Sequence, residues 1–247
     1  SAASGHLAGM GVAIGAVKLD LPTMMQSKSD IVSGLTTGID FLFKKNKITR
    51  LEGTARIDGS GAVTIVDGKD KGSYRAGKIM IAAGSHPSSL PGITIDEKRI
   101  VSSTGALSLN KCPKKLVVIG AGYIGLELGT IWARLGATVE VIEFLPRILP
   151  GMDDEIAKKF MAIAKKQGLS FRLSTAVKQA KSSKTGVSLT VEPADGGKTK
   201  TVTADIALVS VGRHPATDGL GLDAIWAGWA IAGGVTIEVL LMGKSRA

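Results

Sequence analysis

Three glycines in the stretch VVIGAGYIGLELG, namely Gly120, Gly122 and Gly125, have the spacing that a dinucleotide's diphosphate requires. They leave the apolar run KKLVVIG, which reads as a strand, and open GYIGLELGTIWARLG, which reads as a helix. Gly120 permits a tight turn, Gly122 has no side chain where a diphosphate would approach the backbone, and Gly125 lets helix and strand pack closely. The phosphates would rest on N–H groups at the positive end of the helix. A glycine fingerprint alone is weak, but here a strand precedes it, a helix follows it, and an acid closes the next strand about 20 residues on. That acid is Glu143, at the end of ATVEVIE. It would accept hydrogen bonds from the adenosine ribose hydroxyls, and its charge would repel a 2′-phosphate, so NAD is expected over NADP. Arg147, four residues past the strand, reads as a loop cation rather than a phosphate ligand. Glu127 has two readings: a carboxylate complementing the helix dipole, or one facing the nicotinamide ring or a partner lysine.

Other chemistries find little support. The single cysteine, Cys112, excludes an intrachain disulfide, a CxxC site and a thiolate-rich metal site, and it reads as a linker thiol. The three histidines, His6, His86 and His214, show no metal-ligand spacing, so neither a metal site nor a catalytic residue is assigned. The net charge of +10 comes mostly from dispersed pairs such as Lys44-Lys45, Lys158-Lys159 and Lys165-Lys166. No basic run is interleaved with aromatics as a nucleic-acid stacking platform would need. No stretch approaches the roughly 20 apolar residues of a membrane span. The first residues have neither an initiator Met nor a cationic leader and read as the middle of a longer sequence.

The elements that must position the glycines follow from periodicity. Residues 23–45 place Met24, Ile31, Leu35, Ile39, Leu42 and Phe43 at helical spacing. Short strand-like runs follow, KITRLEGTARI, AVTIVDG and YRAGKIMIAAGS, then a Pro/Gly/Ser-rich connection to the joint NKCPKK. Beyond the joint the pattern is β-α-β. A second helix, MDDEIAKKFMAIAKKQG, has Asp153 as N-cap, Ile156, Phe160 and Ile163 as its inner stripe, and Gly168 as its stop. Further strands are expected in LSFRLSTAV, GVSLTVEPADGGKTKTVTA and DIALVSVG, with DGG as a hairpin turn.

The stretches VVIGAGYIGLELGTIWARLGATVEVIEF, LPGITIDEKRIVSSTGALSL, ADIALVSVGRHPATDGLGLDAI and SDIVSGLTTGIDFLFKKNKITRLEGTARI together closely resemble the dihydrolipoamide dehydrogenases, a family of flavin disulfide reductases. The resemblance runs to about residue 225. It implies an α/β chain with a Rossmann-like NAD-binding domain at 111–230, an incomplete FAD-binding domain of three-layer β/β/α type with a parallel sheet at 1–110, and an unassigned tail at 231–247. In the family, electrons pass from dihydrolipoamide through a redox disulfide and FAD to NAD. Carried over by position, Gly120, Ala121, Gly122, Tyr123, Ile124, Gly125 and Glu127 form the NAD phosphate and nicotinamide segment. Glu143 is the ribose acid, Val177 touches the adenine, and Gly212 lies near the nicotinamide. Ala55 and Ala83-Gly84-Ser85 match segments that touch FAD, with Ala83 where the family usually has Thr.

The resemblance further implies lipoyl-bearing subunits of 2-oxoacid dehydrogenase complexes as partners, a homodimer, and the mitochondrial matrix, or the cytoplasm if bacterial. The family's paired cysteines, its FAD glycine fingerprint and its His-Glu acid-base pair do not occur in these 247 residues. The 247-residue chain is therefore expected not to oxidise dihydrolipoamide by itself, and its other reading is a non-catalytic NAD-binding or basic partner-binding fragment. The tail, with Trp226 and Trp229, does not continue the family pattern.

Overall fold

The apolar run after the joint forms the strand at the centre of the molecule. The computed structural model describes residues 10–11, 18–59, 61–222 and 238–241. In chain order the elements are α1 (Leu21–Lys45), β1 (Thr54–Gly59), β2 (Ala62–Asp67), β3 (Gly72–Arg75), β4 (Ile79–Ala83), β5 (Ser85–Pro87), β6 (Ile100–Val101), α2 (Ser103–Ala106), β7 (Lys115–Ile119), α3 (Tyr123–Arg134), β8 (Thr138–Ile142), α4 (Asp154–Lys166), β9 (Leu169–Arg172), β10 (Thr175–Ser182), β11 (Val187–Pro193), β12 (Lys200–Ala204), β13 (Ile206–Val209), β14 (Arg213–Pro215) and β15 (Glu238–Leu241).

Strands β6, β13, β7, β8 and β9 lie in that order in one sheet, and every pairing in it is parallel. Alternate residues of β7 serve two cores, as the pleat requires. Leu116 and Val118 face α3 and α4, together with Val139, Val141 and Leu208. Val117 and Ile119 face an antiparallel sheet, β10-β11-β12, whose Val187, Leu189 and Val191 close the other side. The result is a three-layer β/β/α arrangement built by residues 100–209, not by the segment 1–110 for which it was expected, with a continuous apolar strand buried on both faces. The DGG turn is present: Gly196 and Gly197, both at positive φ, lie in the connection between the antiparallel partners β11 and β12. Edge strand β6 comes from before the joint. Its entry turn is made by Asp96, whose side chain accepts from the N–H groups of Lys98, Arg99 and Ile100 at 2.7 to 2.9 Å. Burial raises the Asp96 carboxyl, but these three donors together with the Ser182 side chain outweigh it and hold the group below its ordinary value.

The earlier segment is built differently. Strands β1, β2 and β3 form a separate antiparallel sheet, β5 pairs with β14, and β4 pairs with β15. Of the buried apolar side chains among the described residues, only Leu21, Ile57, Val63, Ile65 and Ile93 precede residue 100. Helix α1 forms as expected, capped by Asp20, which accepts from the Thr23 N–H at 3.1 Å. Its apolar positions Met24, Ile31, Leu35, Ile39 and Leu42 are nevertheless exposed in this chain. No helix among the described residues is long and apolar enough to cross a membrane.

In α4 the structure corrects the expected stripe. Asp153 does cap the helix, accepting from the N–H groups of Glu155 and Ile156. The buried residues, however, are Ala157 and Ala164, with Phe160 and Met161 half-buried, while Ile156 and Ile163 are exposed. The helix lies on the sheet through its small residues. Ile163→Ser should therefore change unfolding free energy by no more than about 0.5 kcal/mol. Ala164→Leu should cost about 1–3 kcal/mol through overpacking. Urea midpoints of the two variants check this; a larger loss for Ile163→Ser would refute the inward face.

Candidate functional site

The strand order reverses between β7 and β13, because the chain runs from β7 to β8 on one side and returns through β13 on the other. In parallel α/β sheets the crevice beyond the strand C-termini at such a point is where ligands bind. Here that crevice is a cavity of about 760 Å³, within the usual range for a small-molecule site. Its lining includes Gly120, Gly122, Tyr123, Ile124, Glu143, Val177, Gly212 and Ser85. Residues 85 to 212 are thus brought to one place by the sheet.

The glycine turn has the geometry its sequence suggests. Gly120 takes φ +99° and donates its N–H to the Ile142 carbonyl at 2.8 Å. A β-carbon there would lie 2.6 Å from the Ser210 carbonyl oxygen, so only glycine fits. Gly122 is the N-cap of α3, with no side-chain cap, and a β-carbon on it would meet nothing within 4 Å. The helix's first N–H groups, which have no partner within the helix, begin at this residue. Gly125 is the opposite case, buried against Ser210, Gly120 and Val118.

Glu143 lies just past β8, and both its oxygens are engaged by backbone. Oε2 accepts from the Ala121 N–H at 2.6 Å, and Oε1 accepts from the Leu145 N–H at 2.9 Å. The carboxylate therefore ties the glycine turn to the loop after β8. Ala121 itself is fully buried and does not line the cavity; besides this bond, its carbonyl accepts from the N–H of the lining residue Leu149 at 3.0 Å. Glu127 is exposed in the second turn of α3 and does not line the cavity. Ala55, in β1, Ala83, the last residue of β4, and Gly84, between β4 and β5, also lie off the cavity wall. Val177 lines it from β10 next to a bulge, and Gly212 lines it with φ +134°.

Arg147 is not part of the lining. Its guanidinium pairs with Asp154 and donates to the Met152 carbonyl at 2.6 Å, which ties the 147–152 loop to α4. Cys112 is half-buried, its thiol 3.4 Å from the Leu135 carbonyl, and burial pushes its pKa up. A thiol held in its protonated form is a poor nucleophile. Among the described residues no three His, Cys, Asp or Glu side chains gather to hold a metal. His6, Trp226 and Trp229 lie outside the described residues.

Several lining residues escaped sequence reasoning. The Ser210 hydroxyl lies 3.0 Å from the Ile119 carbonyl and 3.2 Å from that of Gly120, donating to this pair and fixing the turn from the neighbouring strand. Thr175, Arg213 and His214 also border the cavity. The one available signal was a polar residue directly after the buried strand DIALV, where a strand end enters a crevice.

A parallel sheet with a glycine turn at its switch point, a helix N-terminus beside it and an acid at the end of the adjoining strand define a Rossmann-like α/β fold. The chain belongs to the pyridine nucleotide-disulphide oxidoreductase family, which matches residues 4–237. It is 50% identical over 220 residues to dihydrolipoyl dehydrogenase 1, mitochondrial, of Arabidopsis thaliana, covering 87% of this chain and 43% of that protein. It is 51% identical over 209 residues to dihydrolipoyl dehydrogenase 3 of Pseudomonas putida, covering 84% and 45%. Leghemoglobin reductase of Glycine max is 50% identical over 216 residues, covering 87% and 41%. The fold matches that of the HOCl-induced flavoprotein disulfide reductase RclA from Escherichia coli with a TM-score of 0.70 at 25% identity, over 81% of this chain and 45% of that one. The chain thus spans about half the length of the relatives it matches.

Proposed function

We propose that this chain is the NAD-binding part of a dihydrolipoyl dehydrogenase, with residues 111–230 as the NAD domain and 1–110 as a portion of the FAD domain. The observation that carries this reading is the convergence of Gly120, Gly122, Glu143, Val177 and Gly212 on one cavity at the switch point. The residues present fit the dinucleotide. The space a β-carbon would fill at Gly122 is open, and α3 begins there with no side chain on its first N–H groups. An anion settles at such a terminus through hydrogen bonds and the helix dipole.

Glu143 then has two tasks. A carboxylate offers about four acceptor positions, and the N–H groups of Ala121 and Leu145 take two of them. The remainder serve the ribose hydroxyls, and the fixed negative charge disfavours a 2′-phosphate. NAD, when bound, supplies the hydride acceptor; Tyr123 and Ile124 flank the phosphate turn, and Glu127 stands one turn along the same helix. FAD is implied by the family, and Ala55, Ala83, Gly84 and Ser85 offer it small side chains and backbone rather than charge. In the complete enzyme the reaction is NAD-dependent oxidation of dihydrolipoamide, with lipoyl-bearing subunits as partners and a homodimeric assembly. Mitochondrial and bacterial relatives alike support a matrix or cytoplasmic setting.

Calorimetric titration tests the site directly. NADH should bind with one site per chain, and NADPH should bind at least about tenfold more weakly, a difference of about 1.4 kcal/mol. Equal or tighter binding of NADPH would overturn the assignment of Glu143.

A further inference from the structure

The ribbon formed by β5 and β14 holds two of the chain's three histidines directly opposite one another. His86 pairs with His214 in the antiparallel register, flanked by Ser85 opposite Pro215 and by Pro87 opposite Arg213. The Ser88 N–H donates to the Gly212 carbonyl, and the Ala216 N–H donates to the Gly84 carbonyl. His86 and His214 share the phase of those bonds, which makes them a hydrogen-bonded pair with Cα atoms about 5.5 Å apart and side chains on one face. The pleat sends Arg213 and Ser85 to the other face, where the guanidinium donates to the Ser85 hydroxyl at 2.7 Å. The cation is thereby kept off the imidazole side.

The two rings have centroids 5.9 Å apart and an interplanar angle of 49°, so they are neither stacked nor splayed. Two imidazoles bound to one ion at a metal–nitrogen distance of about 2.0–2.1 Å and a tetrahedral angle would have centroids about 5.2 Å apart. A small χ rotation on exposed side chains covers the difference. The second requirement of a histidine ligand is a fixed far nitrogen. His214 Nδ1 lies 3.3 Å from the Ser88 hydroxyl, which leaves Nε2 as the free nitrogen.

From this geometry we propose that His86 and His214 together hold a borderline divalent transition ion such as Zn²⁺, as a cross-strand staple. Imidazole nitrogen suits such ions over Mg²⁺ or Ca²⁺, which select oxygen. The staple joins β5, which follows the Ala83-Gly84 turn, to β14, which follows Gly212. It lies at the cavity border, since His214 is part of the lining. Two further coordination positions are left for water. Sequence spacing conceals the site because the two ligands are far apart in the chain, and only strand pairing brings them together.

The test is calorimetric titration of the 247-residue chain with ZnCl₂ in a non-chelating buffer. One Zn²⁺ per chain is expected, and His86→Gln and His214→Gln should each weaken it at least about tenfold, since losing even an outer-shell partner of a metal ligand costs about that much. Cys112→Ser and His6→Gln, which remove the other nitrogen and sulfur ligands, should bind Zn²⁺ as the parent does. Excess Zn²⁺ should also raise the melting temperature of the parent and of Cys112→Ser but not of His214→Gln, because only an ion bound to the folded ribbon stabilises it. Absence of Zn²⁺ binding, undiminished binding in the two histidine variants, or loss of binding in Cys112→Ser would each overturn the proposal.

Discussion

Replacing Gly125 with alanine is expected to destabilise the fold by about 3 kcal/mol, the upper end of overpacking costs. The same change at Gly122 is expected to cost no more than about 1 kcal/mol, the loss of a tolerable N-cap. It should instead weaken NADH at least about tenfold. A β-carbon on Gly125 would lie 2.4 Å from the Ser210 Oγ, 2.5 Å from the Gly120 carbonyl oxygen and 2.9 Å from Val118 Cγ1. The hydroxyl could rotate only by giving up its contact with the Ile119 and Gly120 carbonyls. The Gly120 carbonyl is backbone within a turn that tolerates no β-carbon at its own position. Helix α3 would have to lift from β7, at the centre of the core. Gly122 has open space around it and an ordinary φ of −75°, so the folded chain accommodates a methyl group there. That methyl would occupy the approach a diphosphate needs. Urea denaturation paired with NADH calorimetry separates the two effects. Equal stability loss in both variants would overturn the packing contrast between the two glycines, and unchanged NADH affinity in Gly122→Ala would show that the open side of the turn is not the binding side.

The contrast between these glycines marks how far the sequence is legible. Spacing and flanking elements assign each glycine a role, because those roles are local: a turn, an N-terminus and a helix–strand contact within ten residues. Glu143 is legible for the same reason, since a β-α-β unit fixes the distance from one strand end to the next. Ser210, Arg213 and His214 are not, because their proximity to Gly120 depends on β13 pairing beside β7 rather than beyond β9. The α4 stripe fails for another reason. Periodicity allows two neighbouring faces, and ranking by hydrophobicity selects Ile156 and Ile163. Close approach to a sheet selects Ala157 and Ala164, which are small enough for it. Helix α1 shows that periodicity reports a capacity for burial, as its apolar positions remain exposed here. The bonds from Ala121 and Leu145 to Glu143 were also invisible, and they change what that residue's removal should do.

Glu143→Ala is accordingly expected to act on stability and specificity together. Ala121 is fully buried, and without the carboxylate its N–H has lost the acceptor at 2.6 Å. Leaving a buried donor unpaired costs about 1–3 kcal/mol. The Leu145 N–H adds less, because that residue is exposed and water can replace the lost partner. A hydrogen bond to a charged group contributes about 1.5–3 kcal/mol. Losing it to the ribose should therefore weaken NADH by about tenfold to a hundredfold. NADPH should weaken less, since the repulsion of its 2′-phosphate disappears with the carboxylate, and the preference between the two cofactors should narrow toward one. Glu143→Gln divides these contributions. Its amide oxygen can still accept from one N–H group, but its NH₂ group meets the other donor, so part of the stability loss remains. The charge is gone entirely, so the loss of cofactor preference should match that of the alanine variant. Urea midpoints and titrations with both cofactors measure each part. Parental stability in Glu143→Ala would show that the carboxylate is not what anchors the glycine turn, and parental preference for NADH in Glu143→Gln would show that its charge is not what selects the cofactor.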